Sequence, residues 1–121
     1  MSLIIYIDDD KEANKLANLY LQKYGYDVFT VENTKLAREI IEKENVSLVI
    51  TDVGIPGESG PEYYRALKEN DKTKDIPFIF VSGHAMGYDE SLLEEQHHFV
   101  QKPIFFPDLV NMIKSILDKK K

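Results

Sequence analysis

The hydrophobic pattern of this chain changes period again and again, and that alternation limits the folds open to it. Leu3-Ile4-Ile5-Tyr6-Ile7 is a continuous apolar run rich in β-branched types, the mark of a strand buried on both faces. It gives way to Ala13, Leu16, Ala17, Tyr20 and Tyr24, spaced as one helical stripe that Gly25 stops. A more alternating strand follows over residues 26–30, then a helix marked by Leu36, Ala37, Ile40 and Ile41, then a third strand over 46–51. Ser59 and Glu62 have the spacing of a capping box, with Pro61 in the first turn, and open a helix that carries Tyr63, Ala66 and Leu67 inward and Tyr64 outward. A fourth strand over 76–81, a short helix over 89–96, a fifth strand at Phe99-Val100-Gln101 and a last helix with Leu109, Met112, Ile113 and Ile116 complete the pattern. Alternation of this kind predicts an α/β domain with a parallel sheet and helices on both faces. Right-handed crossovers leave few topologies. The expectation is one doubly wound five-stranded sheet of order 2-1-3-4-5, flavodoxin-like (βα)5, formed by residues 1–121 as one domain.

Composition narrows the function classes. The chain has 121 residues and no cysteine, which excludes disulfides and thiolate metal sites. Its net charge of -6 offers nothing to the counterion release that drives nucleic-acid binding, so direct DNA or RNA contact is not expected. No apolar run approaches the roughly 20 residues of a membrane span, and Met1-Ser2-Leu3 leads straight into the first strand without a leader. A cytoplasmic location is expected. Lys119-Lys120-Lys121 reads as a solvated tail.

Open parallel sheets bind ligands beyond the carboxyl ends of their strands, so those ends carry the functional information. Strand one ends in Asp8-Asp9-Asp10, strand three in Thr51-Asp52, strand four in Ser82-Gly83 and strand five in Lys102-Pro103. In the order 2-1-3-4-5 the first and third strands are neighbours, roughly 4.8 Å apart. Their carboxylates therefore converge. Two like charges at about 4 Å repel by about 4 kcal/mol at an effective dielectric near 20, and a hard divalent cation relieves that repulsion. The donors available predict Mg²⁺ or Mn²⁺. Asp10 is read as a helix cap rather than a ligand. Lys102 supplies a mobile positive charge suited to a phosphate, and Ser82 a hydroxyl that can donate to a phosphate oxygen. Such a set fits phosphoryl transfer to Asp52, with the backbone of Gly54-Ile55-Pro56-Gly57 left open beside it so that a carbonyl can reach the cation.

These segments resemble the receiver domain of two-component response regulators, over essentially the whole chain. "IYIDDDK" is similar to the family's first-strand motif, which implies Asp8 and Asp9 as its metal-binding pair. "TDVGIPGESG" resembles the phospho-acceptor loop, which implies Asp52 as the phosphorylated residue and a metal ligand, with the Gly54 carbonyl as another. "FVSGH" and "FVQKPI" resemble the fourth- and fifth-strand motifs. They imply Ser82 as the hydroxyl of the switch, Lys102 as the phosphate-binding lysine with a cis bond to Pro103, and Phe99 as the switch aromatic. Gly54 and His84 would stand where the family adjusts the lifetime of the phosphoryl group. The resemblance further implies a phosphate supplied by a histidine kinase or histidine phosphotransfer protein, and an enzyme only on itself, catalysing its own phosphorylation and dephosphorylation. It implies a downstream partner or output domain, with a homodimer through the fourth helix, fifth strand and fifth helix as one use of that face.

The chain departs from the family at Ile55, where methionine is usual, and at Gln96-His97-His98, where a small pair commonly precedes the fifth strand. The short stretch between Ser82 and Lys102 puts the output surface, more than the chemistry, in question. Phe99 lacks the hydroxyl of tyrosine, so a switch there works by packing alone. Other classes fit less well. An aspartyl-nucleophile phosphatase of the haloacid-dehalogenase type wants a second aspartate two residues on, where Gly54 stands. A flavin or nucleotide carrier on this fold wants a phosphate cradle where the chain is acidic. A receiver-like docking module that never meets phosphate commonly loses an acidic residue or the lysine, and this chain keeps them. Whether the chain is a stand-alone regulator or part of a larger regulator or hybrid kinase is open.

Overall fold

The apolar run that opens the chain becomes β1 (Leu3–Ile7), flanked in a computed structural model by β2 (Asp27–Val31) and β3 (Leu48–Asp52); β4 (Phe78–Ser82) and β5 (His98–Gln101) extend the sheet. All pairings are parallel and the order is β2-β1-β3-β4-β5. Between the strands lie α1 (Lys11–Lys23), α2 (Thr34–Lys43) and α3 (Gly60–Lys68), and α4 (Phe106–Lys119) follows β5. The structure describes residues 2–83 and 98–119.

The sheet is covered on both faces because successive side chains along a strand point to opposite sides. Ile5, Ile7, Val49, Phe78 and Phe80 pack against Ala37 of α2 and Tyr63, Tyr64 and Leu67 of α3. Ile4, Tyr6, Leu48, Ile50, Ile79 and Val81 pack against Ala17 and Leu21 of α1 and Leu109, Val110, Ile113 and Ile116 of α4. Burying one such side chain is worth about 1.5–3 kcal/mol. The three central strands, buried along almost their whole length, are therefore the most firmly held part of the molecule, and their ends form a rigid platform.

Several expectations need correction. The strand bounds move toward the carboxyl end. β3 starts at Leu48 rather than 46, and β4 at Phe78 rather than 76. Val46 and Ile76 are buried, but as approaches to the ladder. Pro77 has no N–H to give a sheet, and its carbonyl accepts from Val49 N–H at 3.0 Å. β2 is displaced by one residue, and β5 gains His98. The buried stripe of α1 is Asn14, Ala17 and Leu21, whereas Leu16, Tyr20 and Tyr24 are substantially exposed. Apolar counting overlooked Asn14, whose side-chain amide donates to the carbonyls of Asp8 (2.8 Å) and Val31 (3.3 Å) and so docks α1 across the ends of β1 and β2. Tyr64 is buried with Tyr63, because its ring meets Phe78 and Phe80 edge-on. In α2, Leu36 is partly exposed and Thr34 is buried. The capping box of Ser59 and Glu62 is formed, and Gly25 adopts φ +93 as the residue that ends α1. The helix expected over 89–96, His84, Gln96-His97 and the last two lysines lie outside the described residues.

Candidate functional site

Parallel register brings the candidate residues together. Ile7 stands opposite Thr51 and Asp52 opposite Val81, so Asp8 follows the end of β1 directly beside the last residue of β3. Asp8 is 1% exposed. Its main-chain N–H donates to Val31 carbonyl at 3.1 Å, fixing the chain as it leaves the sheet. One carboxylate oxygen of Asp8 accepts from Asp10 N–H at 2.9 Å, and the other accepts from Lys102 Nζ at 2.8 Å. Asp52 Oδ1 accepts from Gly54 N–H at 3.0 Å, while its Oδ2 also lies 2.8 Å from Lys102 Nζ.

The Lys102 ammonium thus bridges two carboxylates. It gets there because Lys102 N–H donates to Ser82 carbonyl at 2.8 Å, carrying the end of β5 alongside β4; the bond from Lys102 to Pro103 is cis. Burial pushes the Asp8 carboxyl above its usual range, against the opposing hydrogen bonds from Lys102 and Asp10 N–H. Burial alone would lower the Lys102 ammonium, but the hydrogen bonds and charges of Asp52 and Asp8 outweigh it and hold it above the ordinary lysine range. The lysine is therefore charged at neutral pH.

Asp9 is exposed and completes an acidic set with Asp8 and Asp52, in which one carboxylate oxygen from each lies within 4.8 Å of the others. Carboxylate oxygens alone, one group buried and one open to water, suit a hard divalent cation that keeps part of its hydration. Asp10 is indeed a cap: its side chain accepts from Glu12 N–H at 2.9 Å at the start of α1. Gly54 is exposed beside Asp52. Ser82 is buried at the tip of β4. Phe99 is half-buried on β5, opposite Phe80 in register, with ring centroids 5.5 Å apart.

Sequence reasoning missed two features of the acceptor loop, residues 53–59. At its far end, a Cβ on Gly60 would meet Asp52 carbonyl oxygen at 2.7 Å, so only glycine lets α3 start this close to the end of β3. In its middle, Glu58 binds Thr34 and Arg38 of α2. The glycine could have been suspected from its place after a cap; the second feature had no local signal.

A profile of the response regulator receiver domain matches residues 4–114. The chain belongs to this family. Among receiver relatives, the polar-differentiation response regulator DivK of Brucella anthropi is 30% identical over 116 residues, covering 93% of this chain and 94% of DivK. The phosphate regulon transcriptional regulatory protein PhoB of Pseudomonas aeruginosa is 29% identical over 118 residues, 94% of this chain but 51% of PhoB. This receiver chain therefore spans about half of PhoB's length. The response regulator TrrA of Thermotoga maritima, crystallised in complex with Mg²⁺-BeF, superposes with a TM-score of 0.84 at 30% identity, covering 97% of this chain and 100% of TrrA. Among the described residues no helix is long and apolar enough to cross a membrane.

Proposed function

We propose that this receiver domain, formed by the whole chain, accepts a phosphoryl group on Asp52 from a histidine kinase or histidine phosphotransfer protein and so switches a partner interaction. The observation that carries this reading is Lys102 Nζ at 2.8 Å from both Asp8 and Asp52, with Asp9 completing the acidic set on the same crevice. A carboxylate of Asp52 attacks phosphorus in line. The new P–O bond forms as the P–N bond to the donor imidazole breaks; the electron pair goes to that nitrogen, and the ring, already protonated on its other nitrogen, leaves as neutral imidazole. Asp52 is suited to this because β3 is rigid and Gly54 N–H fixes one of its oxygens. Lys102 then exchanges Asp52 Oδ2 for a phosphoryl oxygen, and Ser82 turns its hydroxyl toward another.

Asp8, Asp9, Asp52 and the Gly54 carbonyl are the groups that would hold Mg²⁺ or Mn²⁺. When bound, the cation supplies neutralisation of the charge on the transferring phosphoryl oxygens. The aspartyl phosphate carries roughly -1.5 to -2 charge where the carboxylate carried one, and movement of Ser82 frees space into which Phe99 swings, sliding over Phe80. With no tyrosine hydroxyl at position 99, that change is read out by packing at β5 and the neighbouring helices, the surface offered to a downstream partner, an output domain or a second copy of the chain. The same site catalyses only its own phosphorylation and dephosphorylation, in the cytoplasm.

Intact-mass measurement after incubation with Mg²⁺ and acetyl phosphate tests the chemistry. One phosphoryl adduct is expected, absent in Asp52→Asn and in the presence of a chelator. An unmodified wild-type chain, or an adduct that survives Asp52→Asn, overturns it.

A further inference from the structure

The acceptor loop leaves the sheet at Asp52 and returns at the capped start of α3. Ile55 is buried and anchors it to the core, and the Ser59–Glu62 box anchors its end. Pro56 and Gly57 between them are exposed, and Gly57 has φ +79. At this outer part the loop is tied sideways to α2. The Glu58 carboxylate accepts from Thr34 Oγ1 at 2.6 Å, Arg38 Nη1 at 2.5 Å and Arg38 Nη2 at 2.8 Å.

This is more than a surface ion pair. The arginine fork is bidentate, which adds direction as well as energy. The Glu58 side chain is 26% exposed and Thr34 is buried, while the Arg38 side chain is 43% exposed, so solvent screens the contact from the arginine side and less from the glutamate side. On its other side the Arg38 guanidinium lies 5.0 Å over the ring of Tyr63, which is fully buried and whose hydroxyl has no hydrogen-bond partner among the described residues. Arg38 is thereby held between a carboxylate on the loop and a ring in the core.

We propose that Thr34, Arg38 and Glu58 are positioning residues for the divalent cation: by clamping the acceptor loop to α2, they hold the Gly54 backbone where Asp8, Asp9 and Asp52 need a further ligand. None of the three touches the acidic set. The inference rests on the functional reading above. Groups that orient a metal ligand typically cost about ten- to a hundredfold in metal affinity when lost, and a clamp several residues from the ligand belongs at the lower end of that span.

The test is a double-mutant cycle read by calorimetric titration of the unphosphorylated chain with Mg²⁺, at a temperature where circular dichroism shows every variant folded. Arg38→Met and Glu58→Met are each expected to weaken Mg²⁺ binding about tenfold. The double variant is expected to be no weaker than either single, because each change breaks the same clamp. The Mg²⁺ concentration for half-maximal phosphorylation by acetyl phosphate should rise in step, while the rate at saturating Mg²⁺ stays near wild type. Should either methionine variant fail to fold, Arg38→Lys and Glu58→Gln take its place. Arg38→Lys keeps the charge and loses the fork, and is expected to lie between wild type and Arg38→Met. Wild-type Mg²⁺ affinity in the single variants overturns the proposal, even with a lowered melting temperature, since a purely structural contact moves melting alone. Losses that multiply in the double variant overturn it as well. A wild-type chain that neither binds Mg²⁺ nor takes up phosphate defeats the functional reading itself; normal wild-type behaviour with unaltered variants defeats only the clamp.

Discussion

Lys102 illustrates how a single side chain balances a site. Two carboxylates that would repel each other share its ammonium at equal distances of 2.8 Å. Lys102 is only 30% exposed, so neither contact is a solvated surface pair. Glu58 is the second charged residue whose surroundings have a measurable consequence. The Arg38 fork, with help from Thr34, holds its carboxyl below the ordinary value of 4.5. As pH falls, the unfolded chain therefore takes up this proton before the folded one does. The stabilisation from Glu58 is complete above 4.5 and is lost as pH drops through the lower folded value. Wild type should accordingly melt higher than Glu58→Gln near neutral pH, with the gap closing below pH 4.5. Thermal unfolding of the pair across that range measures it, and a gap independent of pH contradicts it.

At the scale of elements, the site depends on how helices meet strand ends. α1 is held to β1 and β2 by Asn14, and α3 approaches β3 through Gly60. A methyl at position 60 would stand 2.7 Å from Asp52 carbonyl oxygen and 3.0 Å from Thr51 Cγ2, atoms of the central sheet that have little room to yield. Gly60→Ala is therefore expected to cost about 1–3 kcal/mol, seen as a lower urea midpoint with an unchanged slope. Since the strain falls on the peptide of Asp52, the same variant should take up phosphate more slowly. A wild-type midpoint would show that α3 can simply slide away. The strands that apolar counting extends back to residues 46 and 76 illustrate the opposite case: burial of Val46 and Ile76 continues past the ladder, because hydrophobic pattern reports burial and not hydrogen bonding.

For the whole molecule, the proposed cation site links ion binding to stability. A ligand that binds only the folded chain stabilises it by about 2.7 kcal/mol at about a hundred times its dissociation constant. Mg²⁺ should raise the melting temperature of this domain, excess EDTA should reverse the rise, and Asp8→Asn should abolish most of it. A melting temperature indifferent to Mg²⁺ would count against the site. Lys102 joins this balance from 94 residues away from Asp8 and 50 from Asp52, so the same crevice also ties the end of the chain to its beginning.

The order of elements, the parallel sheet and the acidic strand ends were determined by the sequence alone. Each follows from a local regularity: a side-chain period of two or 3.6, a cap three residues from its partner, a charge where an apolar run stops. The residues of the candidate site were legible for the same reason, since they sit at those stops. Only the tertiary structure decided that Asn14 faces inward, that Tyr64 joins the core, that Lys102 bridges Asp8 and Asp52, and that Glu58 reaches Arg38. Those outcomes depend on distances between residues remote in the chain, and no periodicity encodes a distance of that kind.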